Sequence, residues 1–268
     1  MAQRNVDPAA LLHLATGIAL EAGEFVASQA HLVRLSIETK SSSTDMVTEV
    51  DRASEALIVK RILAARPSDG ILGEEGTNRE GESGVRWVID PLDGTTNFLY
   101  GFPAYAISIG VEVDGEPVAG VVHDAARHET FTARRGGGAF RDGTPIRVSS
   151  QAQLPLALVG SGFVYDAAHR AHQARVLAAL LGQVRDLRRA GSAALDLCSV
   201  ACGRLDAYFE GPLNAWDVSA GTLIVREAGG IATIRPIEAG EAPGIVAAGP
   251  ALYAAFERLI ASAIAATA

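Results

Sequence analysis

At 268 residues the chain is long enough for one large domain or for two halves sharing an interface. Charged residues make up 20% and the apolar set 49%, a globular composition that excludes wholesale disorder. The formal net charge of −8 argues against a general nucleic-acid binder, which needs a basic surface to displace counterions, so an anionic ligand must find local positive charge.

Asp7 and Pro8 form a helix start, and Leu11, Leu14, Ile18, Ala22 and Phe25 then recur at helical spacing. The apolar stretch 9–20 is interrupted by His13, Thr16 and Gly17 and followed by Glu21 and Glu24, unlike a signal peptide, and the apolar tail 259–268 is about half the length needed to cross a bilayer. A soluble, cytoplasmic protein with no membrane partner is expected. A polar segment, 39–44, leads into a second helical pattern with Val50, Leu57, Ile58 and Ile62, ending at Arg66-Pro67 and carrying Glu49 and Asp51 near its start.

From Ile71 to Val148 the pattern changes to short β-rich runs at 85–90, 106–113, 118–123 and 130–133, with Asp114-Gly115 and Asp142-Gly143 as turn pairs, which predicts an antiparallel meander. After Gln151, strands at 156–160, 184–188 and 205–210 alternate with helices at 168–181, 193–201 and 217–228. The expected organisation is an N-terminal α+β half, residues 1–150, and a C-terminal α/β half, residues 151–268, packed as one unit. The two cysteines, Cys198 and Cys202, sit four apart in an apolar run without a nearby histidine and read as small buried hydrophobes rather than a zinc site.

The segment Trp87-Val88-Ile89-Asp90-Pro91-Leu92-Asp93-Gly94-Thr95-Thr96-Asn97-Phe98 is the most informative, because an apolar strand runs into acid, proline, acid and glycine within a few residues. Pro91 restricts the backbone, so Asp90 and Asp93 can converge across a tight turn with the Leu92 carbonyl beside them. Three hard oxygen donors of this kind suit Mg²⁺. Gly94 permits close backbone approach, and the N–H groups of Gly94 and Thr95 would open a short helix where an anion is favoured. Two more acidic stretches end elements elsewhere, Gly73-Glu74-Glu75-Gly76 and Ala215-Trp216-Asp217. Alone, either reads as a solvated turn or a helix cap; beside Asp90 and Asp93 they become candidate ligands.

The run from Trp87 to Phe98, continued by Gly101-Phe102-Pro103, and the run Trp216-Asp217 through Ala220-Gly221 to Glu227-Ala228-Gly229-Gly230 resemble the inositol monophosphatase family of lithium-sensitive, magnesium-dependent phosphatases. Gly191-Ser192-Ala193-Ala194-Leu195-Asp196-Leu197 is similar to its bacterial branch. The resemblance implies an α+β fold of the layered αβαβα sandwich type, a homodimer, and two to three Mg²⁺ ions. One ion would be held by Glu74, Asp90 and the Leu92 carbonyl, a second by Asp90, Asp93 and Asp217, with Glu74 also facing a weaker third. It further implies that Thr95, oriented by Asp51, holds the water that attacks phosphorus, with Glu74 as a third catalytic residue. Asp93, Gly94, Thr95, Ser192, Ala193, Glu210 and Asp217 would contact the substrate, Ser192 and Ala193 through a helix start and Glu210 through substrate hydroxyls.

Lys40 matches a family lysine near the metal site, with an exposed surface lysine as the alternative reading and no catalytic role assigned. Tyr100 stands where many relatives have histidine, which points to different loop packing rather than altered ligands. Thr96-Asn97 resembles inositol monophosphatases more than nucleotide 3′-phosphatases, and so favours a polyol monophosphate. Fructose-1,6-bisphosphatase and histidinol-phosphate phosphatase activity remain open on the same scaffold. A regulatory binding protein that keeps the architecture without turnover is the alternative of another class.

Overall fold

A computed structural model describes residues 6–38, 43–238 and 240–267, with the side chains of residues 31–48 left aside. Lys40 therefore lies outside the described residues, as does most of the polar segment at 39–44. Helix α1 (Pro8–Glu38) starts where expected, the Ala9 N–H donating to Asp7 Oδ1 at 2.9 Å, and α2 (Ser43–Ala65) stops ahead of Pro67. Asp51 lies well inside α2 rather than near its start, because the helix begins within the serine-rich run.

An eight-stranded sheet follows, ordered β2-β1-β3-β4-β5-β6-β7-β8. Its members are β1 (Gly70–Gly73), β2 (Asn78–Arg79), β3 (Val85–Asp93), β4 (Ala106–Val113), β5 (Glu116–Asp124), β6 (Glu129–Arg134), β7 (Gly138–Arg141) and β8 (Thr144–Pro145). The meander from β3 onward is antiparallel as expected, but β1 joins β3 in parallel, pairing Gly73 with Ile89. That parallel pairing puts the ends of β1 and β3 side by side, so Glu74 leaves one strand next to where Asp90 sits on the other.

The second sheet has the order β10-β9-β11-β13-β12. It comprises β9 (Leu158–Ser161), β10 (Asp186–Arg188), β11 (Ala207–Glu210), β12 (Ile231–Pro236) and β13 (Pro243–Ala248), interleaved with α4 (Ala167–Leu181), α5 (Ala193–Ala201), α6 (Ala215–Glu227) and α7 (Pro250–Ala265). Strands β12 and β13 were not expected from the sequence, and they complete the sheet's antiparallel edge.

Three apolar clusters bind these elements into five layers. Leu11, Ile18, Ile58 and Ile62 of α1 and α2 bury against Trp87, Ile89, Ile107 and Ile109 of the first sheet. The other face of that sheet, with Ala106, Val122 and Phe131, meets Leu197, Leu223 and Ile224 of α5 and α6, which also contact Tyr208 and Ala247 of the second sheet. Val176, Leu180, Phe256 and Ile260 of α4 and α7 cover its outer face. The chain therefore adopts an α+β, αβαβα layered fold. Residues Pro8–Ala30 are long and apolar enough to cross a membrane by length and composition. In the fold their apolar stripe is instead a core face: Ala15, Ala19, Ala22 and Val26 have no accessible surface. Cys198 is buried and Cys202 half-buried in the middle layer.

Candidate active site

Between the first sheet and the middle helices lies a cavity of about 220 Å³. Glu74, Asp90, Leu92, Asp93, Gly94, Thr95, Ala193, Glu210 and Asp217 all line it, drawn from stretches far apart in sequence.

Asp90 and Asp93 are brought together by a bulge rather than a turn. Strand β3 runs on through Asp93, and its pairing with β4 slips between Asp90 and Asp93, so the two carboxylates share the cavity side of one kinked strand. The Leu92 N–H donates to Asp90 Oδ1 at 3.0 Å, which locks the kink. Gly94 follows at φ 88°, and a β-carbon there would lie 2.7 Å from the Ala104 carbonyl, so only glycine fits. Helix α3 (Thr95–Tyr100) starts at this point, as the sequence predicts.

Helix α2 holds the acidic stretches in place with two residues the sequence reading did not single out. Ser54 Oγ donates to the Pro91 carbonyl at 2.9 Å. The buried Glu55 carboxylate accepts from the Glu75 and Thr77 N–H groups at 2.8 and 3.0 Å and from the Thr77 hydroxyl at 2.6 Å, gripping the turn that carries Glu74. A β-carbon on Gly73 would collide with that carboxylate. The signal was present only as a Ser-Glu pair on the buried face of a helix.

Asp217 accepts from the Asn214 N–H through Oδ2 at 2.6 Å, so it closes the first turn of α6 while facing the cavity. Ser192, placed on the substrate by the resemblance, also meets Asp93. Its hydroxyl donates to Asp93 Oδ2 at 2.6 Å, and the Ala194 N–H donates to the same oxygen at 2.7 Å. The start of α5 is thus committed to orienting Asp93, because the buried carboxylate reaches the helix amides first. The resemblance also gives Asp51 the task of orienting Thr95. In the structure Thr95 Oγ1 donates to the Leu92 carbonyl at 3.0 Å, while Asp51 is buried in α2 with Oδ1 unpartnered among the described residues.

The electrostatics of the site are those of crowded acids. Burial, followed by the charges of Glu74, Asp93 and Asp217, pushes the Asp90 carboxyl well above the usual carboxylate range. Burial likewise raises Glu74 and Asp93, even though Asp90 hydrogen-bonds the first and Ser192 with the Ala193, Ala194 and Gly94 amides hydrogen-bonds the second. Asp217 is pushed up to about 7 by burial and the Asp93 charge, and Asp51 to about 8 by burial beside Glu75 and Glu74. Among the described residues no three of these acids already close around a single ion position. Their chemistry nonetheless suits Mg²⁺: hard oxygen donors only, facing one cavity, with mutually repelling negative charge that a divalent cation would offset.

Arg189 also lines the cavity, the local positive charge that the net charge of the chain demands. The Arg188-Arg189 pair just ahead of Gly191-Ser192 was the available signal. Gly191, at φ 89°, leaves room for the Arg189 guanidinium, and Asn97 Nδ2 donates to the carbonyls of Ala104 and Ala190 at 2.7 and 2.8 Å, tying α3 to this loop. Phe163, Val164 and Tyr165 after β9, and Pro212, Leu213 and Asn214 after β11, form two neighbouring stretches of the cavity's rim; none was foreseen from the sequence.

An anion-sized cavity walled by acids that call for hard cations, set between the layers of an αβαβα fold, places the chain among the phosphoric monoester hydrolases. More narrowly, it belongs to the inositol monophosphatase family, whose sequence profile matches residues 7–266. It is 43% identical over 266 residues to the inositol-1-monophosphatase of Mycobacterium bovis, covering 92% of each chain. It is 50% identical over 192 residues to the Nus factor SuhB of Xylella fastidiosa, covering 71% of this chain and 70% of that one. Among solved structures, SuhB of Mycobacterium tuberculosis superposes with a TM-score of 0.84 at 40% identity, covering 97% of this chain and 98% of that one.

Proposed function

We propose that the protein hydrolyses myo-inositol monophosphate, and related polyol or sugar phosphomonoesters, to the free alcohol and phosphate with the help of Mg²⁺. The observation that carries this reading is the convergence of Glu74, Asp90, Asp93 and Asp217 on a cavity shared with Thr95 and Glu210. Glu74, Asp90, Asp93, Asp217 and the Leu92 carbonyl are the groups that would hold two to three ions. Bound Mg²⁺ supplies a lowered pKa for water and neutralises charge on the leaving oxygen.

The protein's own groups do the positioning. Thr95, whose hydroxyl hydrogen is engaged by the Leu92 carbonyl, turns its oxygen lone pairs to the cavity and accepts a hydrogen bond from the attacking water. Asp51, buried beside Glu74 and Glu75, is the carboxyl that would orient Thr95 in this reading. Arg189 and the Gly94–Thr95 backbone face the phosphate, and Glu210 accepts hydrogen bonds from hydroxyls of the leaving alcohol. Ala193 lines the same wall, and Ser192 contributes through Asp93. A cytoplasmic homodimer inhibited by lithium completes the reading.

Phosphate release from inositol 1-phosphate, fructose 1,6-bisphosphate, histidinol phosphate and adenosine 3′,5′-bisphosphate, with Mg²⁺ and with chelator, tests it. Mg²⁺-dependent release fastest from inositol 1-phosphate supports the reading, and preference for another member of the panel replaces the substrate while keeping the chemistry. A second reading, a regulatory binding protein, is favoured by the Xylella relative named as a Nus factor. Absence of release from the whole panel would select it.

A further inference from the structure

Gln173 lies on α4, outside the cavity, and half-buried. Its side-chain amide joins two separate backbone segments. The Val164 N–H donates to Gln173 Oε1 at 3.1 Å, and Gln173 Nε2 donates to the Gly211 carbonyl at 2.6 Å. Val164 belongs to the stretch of the catalytic cavity's rim that follows β9, and Gly211 opens the neighbouring stretch, after β11, that supplies Pro212, Leu213 and Asn214. Both stretches lie outside helices and strands, just beyond the paired ends of β9 and β11 at Ser161 and Phe209, so the last ladder contact leaves their further course to side chains such as Gln173.

The same two stretches enclose Glu210. Gly211 follows it directly in the chain. From the other side, Gly162 packs so closely on the Glu210 carboxyl that a β-carbon there would lie 1.9 Å from Oε2. The Tyr208 hydroxyl donates to that oxygen as well, holding the carboxylate from behind. The Glu210 backbone is held in β11 opposite Ile245, so a shift of either stretch moves its carboxyl relative to the metal-ligand acids, which are anchored separately through α2, α5 and the start of α6.

We propose that Gln173 is a positioning residue for substrate selection: its amide sets the spacing of the two stretches and thereby the reach of Glu210 towards the hydroxyls of the leaving alcohol. The proposal rests on the reading of Glu210 as the acceptor of substrate hydroxyls. A carboxamide suits the task because one planar group of this length presents both a donor and an acceptor. Glutamate would keep the bond to Val164 and lose the one to Gly211, leaving a carbonyl facing a carboxylate. Methionine matches the length and keeps neither.

The test compares the wild type, Gln173→Met, Gln173→Glu and Glu210→Gln on two substrates in saturating Mg²⁺: inositol 1-phosphate, and p-nitrophenyl phosphate, whose leaving group carries no such hydroxyls. Gln173→Met is expected to raise KM for inositol 1-phosphate by about fivefold to tenfold, the worth of one or two neutral hydrogen bonds, with kcat/KM for the aryl ester within about twofold. Gln173→Glu should fall between wild type and Gln173→Met, and it carries the comparison if the methionine variant does not fold. Equal losses on both substrates, or no change on either, would overturn the proposal. Glu210→Gln separates the two levels of inference. If it fails to discriminate between the substrates, the reading of Glu210 is wrong; if it discriminates and the Gln173 variants do not, only the coupling is wrong.

Discussion

The crowded acids should make the metal-free protein lose stability as pH rises, a loss that bound metal should largely cancel. Asp217 is held at about 7 in the fold by burial and the Asp93 charge, against an ordinary value of 3.8. A carboxyl raised on folding contributes stability that is fully present below its unfolded pKa and lost as pH rises through the folded one. About three units at about 1.4 kcal/mol each set an upper limit of roughly 4 kcal/mol for this group, and partial solvent access reduces it to about 2–4 kcal/mol. Asp51, at about 8, extends the loss to higher pH. For a chain of this size that is a fall in Tm on the order of 10 °C between about pH 5 and about pH 8. Scanning calorimetry or thermal fluorescence in chelator should show this fall, and saturating Mg²⁺ should remove most of it because cations bind the ionised acids. The Mg²⁺-induced rise in Tm should therefore grow with pH, with protons released on binding. A chelated protein whose Tm is flat or rises over that range would refute the argument.

Asp93→Asn should abolish turnover while leaving Tm within a few degrees, since it keeps the shape and an acceptor for Ser192 and Ala194 but lowers the charge available to cations; unchanged kcat would remove Asp93 from the metal set. Ser192→Ala deletes both a donor to Asp93 and the cap of α5, where the Ser192 oxygen accepts from the Leu195 N–H at 3.3 Å. It should cost about 1 kcal/mol in denaturant unfolding and raise the Mg²⁺ concentration for half-maximal activity. Gly162→Ala forces a β-carbon onto the end of a flexible side chain, so Glu210 moves and the backbone does not. Stability should stay within about 1 kcal/mol while kcat/KM for inositol 1-phosphate drops at least about tenfold, a loss that steady-state kinetics would reveal.

The legible parts of the site were those written in a few consecutive residues. Asp90, Leu92, Asp93, Gly94 and Thr95 stand within one hexapeptide, and a strand entering such a stretch has few ways to dispose of two carboxylates. The helices of the second half were equally readable, because α5 and α6 carry unbroken apolar faces between a cap and a glycine. What escaped were pairings between distant residues. Nothing in Gly70–Gly73 distinguishes a parallel from an antiparallel neighbour, yet that choice sets Glu74 beside Asp90. Ser54, Glu55, Ser192 and Gln173 are ordinary polar residues on helices until the backbone groups they meet are known. Strands β12 and β13 were missed because Pro236, Pro243 and the four glycines at 229, 230, 240 and 244 read as loop, whereas in the fold β12 and β13 pair along their whole length.

The placement of the acids across layers explains why so many polar anchors surround them. Glu74, Asp90 and Asp93 come from the first sheet, and Asp217 from the start of α6, whose body fills the layer between the two sheets. Repulsion among them therefore acts to push the middle helices off the sheet, not merely to disturb a surface loop. The apolar contacts of Leu223 and Ile224 resist that push; Ser192 and the Ala194 amide hold Asp93, the Leu92 and Asn214 amides hold Asp90 and Asp217, and Ser54 and Glu55 brace the backbone that carries Asp90 and Glu74. A cation bound among them would reverse the sign of the interaction and should draw α6 towards the sheet. On that reading metal binding would fasten the layers as well as prepare the chemistry, and hydrogen exchange of the α6 amides should slow more on adding Mg²⁺ than that of α7; equal protection would refute it.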